Sequence, residues 1–89
     1  MINVTRFTAP WCQPCKVLAP EFKKFEAEFT DITFNTVDVD VDPQSAELYA
    51  IRNVPTVIIE KNNKIITRLI GLNHKEKYVA AFNTARETT

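Results

Sequence analysis

The chain has 89 residues, 45% of them apolar and 25% charged, which is room for one folded domain, residues 1–89, and one core. Eleven basic side chains offset eleven acidic ones, so no net field draws the chain to nucleic acid or to an anionic membrane, and neither is expected as a partner. No apolar run approaches the roughly 20 residues of a membrane-crossing helix. The first residues also lack the basic start and apolar stretch of a secretory leader, so a cytoplasmic location is the expectation.

Residues 1–8 (MINVTRFT) are rich in β-formers and end at Ala9-Pro10, which predicts a short strand feeding a loop. From Cys12 to about Phe29, Leu18, Phe22, Phe25 and Phe29 recur at steps of four, three and four, one face of a helix. Pro20 falls inside that pattern without the N–H its turn requires, so a kink is expected there. Residues 32–41 (ITFNTVDVDV) alternate with period two and predict a strand with Val37, Val39 and Val41 on one face. Asp42-Pro43 has the form of a helix cap followed by a first-turn proline, with a short helix to Tyr49. Residues 57–60 and 65–70 read as strands joined by Lys61-Asn62-Asn63-Lys64, and asparagine tolerates the positive φ of a tight hairpin. Gly71, the single glycine, follows, and residues 74–86 carry Tyr78, Phe82 and Ala85 at helical spacing.

The order β-α-β-α-β-β-α predicts an α/β fold. A parallel βαβ unit would come first, then a hairpin and a covering helix, giving a four-stranded mixed sheet flanked by three helices.

The chain has two cysteines, Cys12 and Cys15. A secreted disulfide scaffold scatters four or more, so a structural framework is not indicated. A zinc site wants four ligands, and only His74 remains to join the pair. The pair instead opens a helix directly after a strand. Residues three apart share a helix face, so the sulfurs can bond without distorting the backbone. The unpaired N–H groups and positive dipole end of the helix favour a thiolate at Cys12. Pro14 suits the first turn, where its missing N–H costs nothing, and Trp11 adds a flat apolar surface. These features predict dithiol–disulfide exchange. Cys12, nearer solvent, attacks a substrate disulfide, and Cys15 resolves the mixed disulfide.

Trp11-Cys12-Gln13-Pro14-Cys15-Lys16 resembles the W-C-G-P-C-K signature of the thioredoxin family. Ala19-Pro20, Val39-Asp40 with Pro43, the segment Ile51-Arg52-Asn53-Val54-Pro55-Thr56 and Gly71 extend the resemblance from residue 2 to about 86. The family's first strand and helix have no counterpart, so a trimmed thioredoxin-like fold is implied. The resemblance implies that Pro55 is cis and lies against the disulfide, leaving the backbone of Val54 to pair with an extended client peptide. Trp11 and Gly71 would flank that groove. It implies no cofactor beyond the reversible Cys12–Cys15 disulfide and no metal. The implied partners are client proteins with disulfides, ribonucleotide reductase being one candidate, and a thioredoxin reductase or similar electron donor. A monomer is expected.

Departures from the family pattern matter equally. Gln13 replaces the usual glycine in the dipeptide that tunes the redox potential, while Pro14 argues for the reducing end, where thioredoxin-type centres reach about −270 mV. Arg6 stands where the family carries a buried acid beneath the resolving cysteine, and Thr36 where its lysine partner would be. Arg6 either favours the Cys15 thiolate by charge or extends to solvent along a shortened strand. Lys16 either assists the thiolate or is plain helix surface. Asp38, Asp40 and Asp42 mimic the start of a calcium loop, but Pro43 and Tyr49 stand where glycine and glutamate are required, so carboxylates at a strand end are the expectation. His74 is expected at the surface. Two other functions fit the fold class. A glutathione-dependent, glutaredoxin-like reductase would want a glycine pair and an acid after Gly71, where Leu72-Asn73-His74 stand. A non-catalytic partner-binding module would have no use for two intact thiols.

Overall fold

The computed structural model describes residues 1–88; the last residue of the expected 1–89 domain, Thr89, lies outside them. Strands β1 (Ile2–Thr8), β2 (Ile32–Asp38), β3 (Thr56–Lys61) and β4 (Lys64–Ile70) form one sheet in the order β2-β1-β3-β4. Helices α1 (Gln13–Glu28), α2 (Pro43–Leu48) and α3 (Lys75–Glu87) connect and cover it. β1 and β2 run parallel, from Ile2↔Ile32 to Thr8↔Asp38, with α1 as their crossover. β3 is antiparallel to both β1 and β4. The sheet is therefore mixed and four-stranded, as the element order predicts.

The hairpin closes on Lys61↔Lys64, with Asn62 at φ 53° and Asn63 at φ 68°. Two consecutive left-handed residues match the right-handed twist of the flanking strands, which is why asparagines occupy both places. α1 continues through Pro20 as one unbroken helix from Gln13 to Glu28. Proline can donate no N–H to the Lys16 carbonyl, so the helix relies there on its packed face.

One expectation needs correction. β2 stops at Asp38 and does not reach Val41. The Asp38 carboxylate accepts the Asp40 N–H at 2.9 Å, and its carbonyl accepts the N–H groups of Val41 and Asp42 at 3.1 and 2.8 Å. A local side-chain turn thus outcompetes the ladder, and Val41 ends up exposed.

The core lies between the sheet and the pair α1 and α3. Leu18, Phe22, Phe25 and Phe29 from α1 meet Tyr78, Phe82 and Ala85 from α3 over Val4, Val57, Ile59 and Leu69. Phe25 is the hub: its ring lies 5.2 Å from Phe82, 5.5 Å from Phe22 and 6.1 Å from both Phe29 and Tyr78, mostly edge to face. Such arrangements put the positive ring edge against a negative face and add to the area term. At the far end, Arg86 caps the cluster by lying 4.9 Å over Phe29 while pairing with Asp31. The opposite face carries α2, which has no buried residue. It is tethered by Tyr49, whose ring packs against Phe7 and whose hydroxyl donates to Glu60.

Phe25→Ala should lower the unfolding free energy by about 3–5 kcal/mol, a large share of a small domain's stability, with a matching fall in urea midpoint. α2 depends instead on its cap. Asp42 accepts the Ser45 N–H at 3.1 Å and the Ser45 hydroxyl at 2.7 Å, which holds its carboxyl below the ordinary value of 3.8. A carboxyl depressed by folding contributes stability above its unfolded value and loses it as pH falls through the folded one. Acid unfolding of Asp42→Ala should accordingly show a smaller dependence on pH below about 4 than the parent chain, measured by circular dichroism.

Candidate active site

Ala9-Pro10-Trp11-Cys12 forms a turn at the end of β1, with the Cys12 N–H donating to the Ala9 carbonyl at 3.2 Å. Pro10 presets the first central φ of that turn, so strand and helix are joined with little slack. Cys12 then caps α1: its backbone is extended (φ −93°, ψ 109°), and its sulfur accepts the Cys15 N–H at 3.3 Å. A helix cap is ordinarily an oxygen of Ser, Thr, Asp or Asn. Here a sulfur takes the place, so an orphan N–H of the helix's first turn, that of Cys15, points at the group that must carry charge when reduced.

Cys12 and Cys15 are joined in a disulfide with a Cα–Cα separation of 5.3 Å, inside the range a bridge needs. Cys12 is the nearer of the two to solvent, but both are buried: it is 4% exposed, against 1% for Cys15. Ala9, Val39 and Val54 cover it. The sulfur of Cys12 lies 3.5 Å from the Val54 carbonyl oxygen. The Val54–Pro55 peptide bond is cis, and Pro55 is fully buried.

Two bonds hold this segment. Thr56 Oγ1 donates to the Asn53 carbonyl at 2.7 Å, and the Gly71 N–H donates to the Pro55 carbonyl at 2.8 Å. Gly71 adopts φ 78°, a conformation that disfavours any side chain. Its carbonyl accepts the Tyr78 hydroxyl at 3.3 Å, and that hydroxyl oxygen accepts the Asn73 N–H at 3.2 Å. Tyr78 is thus more than the core residue its spacing indicates: its ring joins the aromatic cluster and its hydroxyl pins the loop beside Pro55.

Trp11 is 69% exposed, a large apolar surface left in water next to the disulfide. Its indole N–H donates to the Asp40 carboxylate at 3.1 Å. With Val39, Ile51, Arg52 and Val54 it lines a groove of about 280 Å3. Asp40 was not among the expected site residues. Its signal lies in the βαβ topology, because parallel strands deliver the loops after β1 and β2 to the same end of the sheet. Gln13, Pro14 and Lys16 lie exposed on the first turn of α1. Arg6 sits half-buried on β1, its guanidinium 5.5 Å from the Phe22 ring centroid and bonded to Thr36 Oγ1 at 3.4 Å.

The three aspartates of the calcium-like run serve separate local roles: Asp38 turns the chain, Asp40 holds Trp11 and Asp42 caps α2. Among the described residues, no group of three or more His, Cys, Asp or Glu is arranged to hold a metal, and no helix is long and apolar enough to cross a membrane.

The family model described as Thioredoxin matches residues 2–84. The chain belongs to the thioredoxin family. Thioredoxin of Mycoplasma genitalium is 39% identical over 80 residues, covering 90% of this chain and 78% of its own. Thioredoxin H5 of rice (Oryza sativa subsp. japonica) is 42% identical over 73 residues, covering 82% of this chain, which spans 54% of that relative's length. The X-ray structure of Fasciola hepatica thioredoxin superposes with a TM-score of 0.86 at 29% identity, covering 92% of this chain and 79% of that one. The fold is thioredoxin-like. Family membership together with the Cys12–Cys15 pair makes the chain a thiol–disulfide oxidoreductase.

A Cβ built on Gly71 meets nothing within 4 Å, so Gly71→Ala adds no clash in this thioredoxin-like site. The left-handed backbone alone should make the variant less stable by about 1 kcal/mol, read from urea unfolding.

Proposed function

We propose that the chain works as a protein-disulfide reductase, passing two electrons from its dithiol to disulfides in client proteins. The observation that carries this reading is the position of the Cys12 sulfur, which accepts a helix-start N–H and lies beside the Val54 carbonyl. The first contact favours the thiolate needed for attack; the second supports a backbone platform at the point where a client chain must arrive.

Cys12 thiolate attacks one sulfur of the client disulfide. The Cys12–client bond forms, the client S–S bond breaks, and its electron pair leaves on the second client sulfur, which takes a proton from solvent. Cys15 then loses its proton and attacks the Cys12 sulfur. The internal disulfide forms as the client's second thiolate departs, so two electrons have moved from chain to client. Val54 lies just ahead of β3 and outside its ladder, which begins at Thr56↔Phe7. An extended client segment would add there, with Pro55 and Gly71 on one side and the exposed indole of Trp11 on the other. Clients with accessible disulfides, ribonucleotide reductase among the candidates, and a recharging electron donor of the thioredoxin reductase type complete the cycle.

In an insulin-reduction assay the chain should be active with a thioredoxin reductase and inactive with glutathione and its reductase. Cys15→Ser should accumulate a covalent client adduct visible on a non-reducing gel, and Cys12→Ser should be inactive. A fully active Cys12→Ser protein would overturn the proposal.

A further inference from the structure

Beside the disulfide, on the side away from the Trp11 groove, a cavity of about 290 Å3 opens to solvent between α1 and the ends of β1 and β2. Cys15 forms part of its wall, together with Arg6, Lys16 and Asp38. Arg6 enters it from β1 because alternate residues share a sheet face. Val4 lies in the core under α1, so Arg6 and then Thr8 follow on the same side.

The surroundings of Arg6 are unusual for an arginine inside a domain. One terminal nitrogen bonds Thr36 Oγ1, its Nε is buried without a partner among the described residues, and its guanidinium lies over Phe22. Among the described residues no carboxylate bonds it; Glu26 on α1 acts on it only through space. Burial lowers its pKa from the ordinary guanidinium range, but a guanidinium stays protonated at any physiological pH. The cavity wall that carries Cys15 therefore also carries a fixed positive charge that forms no ion pair among the described residues.

We propose that Arg6 is a positioning residue for the second half of the reaction, holding Cys15 as a thiolate by charge in a site without a bonded proton acceptor. The inference rests on the proposed roles of Cys12 and Cys15 and concerns how Cys15 is made ready. Arg6 cannot take the Cys15 proton, so the proton passes to water through the open cavity before attack. The thiolate then displaces the client sulfur from Cys12, and the bonding pair leaves on the client. Lys16 on α1 adds positive charge to the same wall, Asp38 at the end of β2 opposes it, and the start of α1 contributes its dipole. A fixed cation, unlike a carboxylate, does not lose its influence as pH falls. Resolution should accordingly persist into mildly acidic solution.

The test isolates Cys15 in Cys12→Ser protein and follows its ionisation by thiolate absorbance and by the rate of iodoacetamide alkylation. Adding Arg6→Gln, which keeps a hydrogen-bonding side chain for Thr36 but no charge, should raise the ionisation midpoint by about one pH unit. Alkylation at about pH 6 should then slow by about tenfold. Arg6→Lys should restore most of the loss, which a purely structural role would not predict. An unchanged midpoint in folded Arg6→Gln overturns the proposal. If that variant does not fold, Asp38→Asn decides: removing the cavity's carboxylate should move the midpoint down, and no movement overturns the charge account. These readings involve no client turnover, so they stand apart from the insulin assay that tests the reductase reading.

Discussion

The structure turns on a single hydrogen bond, from the Cys15 amide to the Cys12 sulfur. It ends the strand-to-helix turn, starts α1 and brings an N–H donor to the group that carries the chemistry. The same bond serves architecture and reactivity because a helix start has N–H groups that nothing within the helix satisfies. With an oxygen as cap the helix would be as well formed and the site would be inert. With the sulfur there, stabilisation of the helix start and stabilisation of a thiolate become the same interaction.

Around that bond the fold is divided by function. The body of α1 supplies the aromatic cluster with α3, and only its first turn faces the chemistry. The parallel pairing of β1 with β2 sends both following loops to one sheet end, which is why Trp11 meets Asp40 across 29 residues of sequence. The antiparallel pairing of β1 with β3 brings Val54 and Pro55 in from the opposite strand direction. Thr56, Gly71 and Tyr78 hold that segment against the disulfide. The site is thus assembled from chain segments that no local rule connects, on elements each fixed by its own packing.

Much of this was legible in the residues because the signals are local. The phenylalanine spacing identifies α1, Asp42-Pro43 its short successor, and Asn62-Asn63 the hairpin, each through a mechanism that acts within a few residues. The Cys12–Cys15 pair is readable as chemistry because it follows a strand and opens a helix. The end of β2 was not legible from alternation: ITFNTVDVDV keeps period two through Val41, yet the Asp38 side chain captures the Asp40 amide and turns the chain. Spacing likewise says nothing of how deeply Cys12 is covered, because Val39 and Val54 reach it only through tertiary packing. For the same reason the sequence left both surroundings of Arg6 open. Its strand position shows that it neighbours Thr36, but not that Phe22 takes the guanidinium face or that Cys15 shares its cavity.

The two faces of the sheet are unequally furnished, and this has a consequence for recognition. α2 contributes no buried side chain and is tied down through Tyr49, while α1 and α3 clasp a dense aromatic core. Backbone amides exchange with solvent through the least costly local opening, and that cost follows the apolar surface an element buries. The α2 side should be the first to breathe while the core helices stay shut. Ala46 and the following Ile51, which line the groove beside Trp11, belong to that yielding side. A visiting peptide therefore meets a rigid reactive corner with one compliant wall, which lets differently shaped chains settle without disturbing the sulfurs.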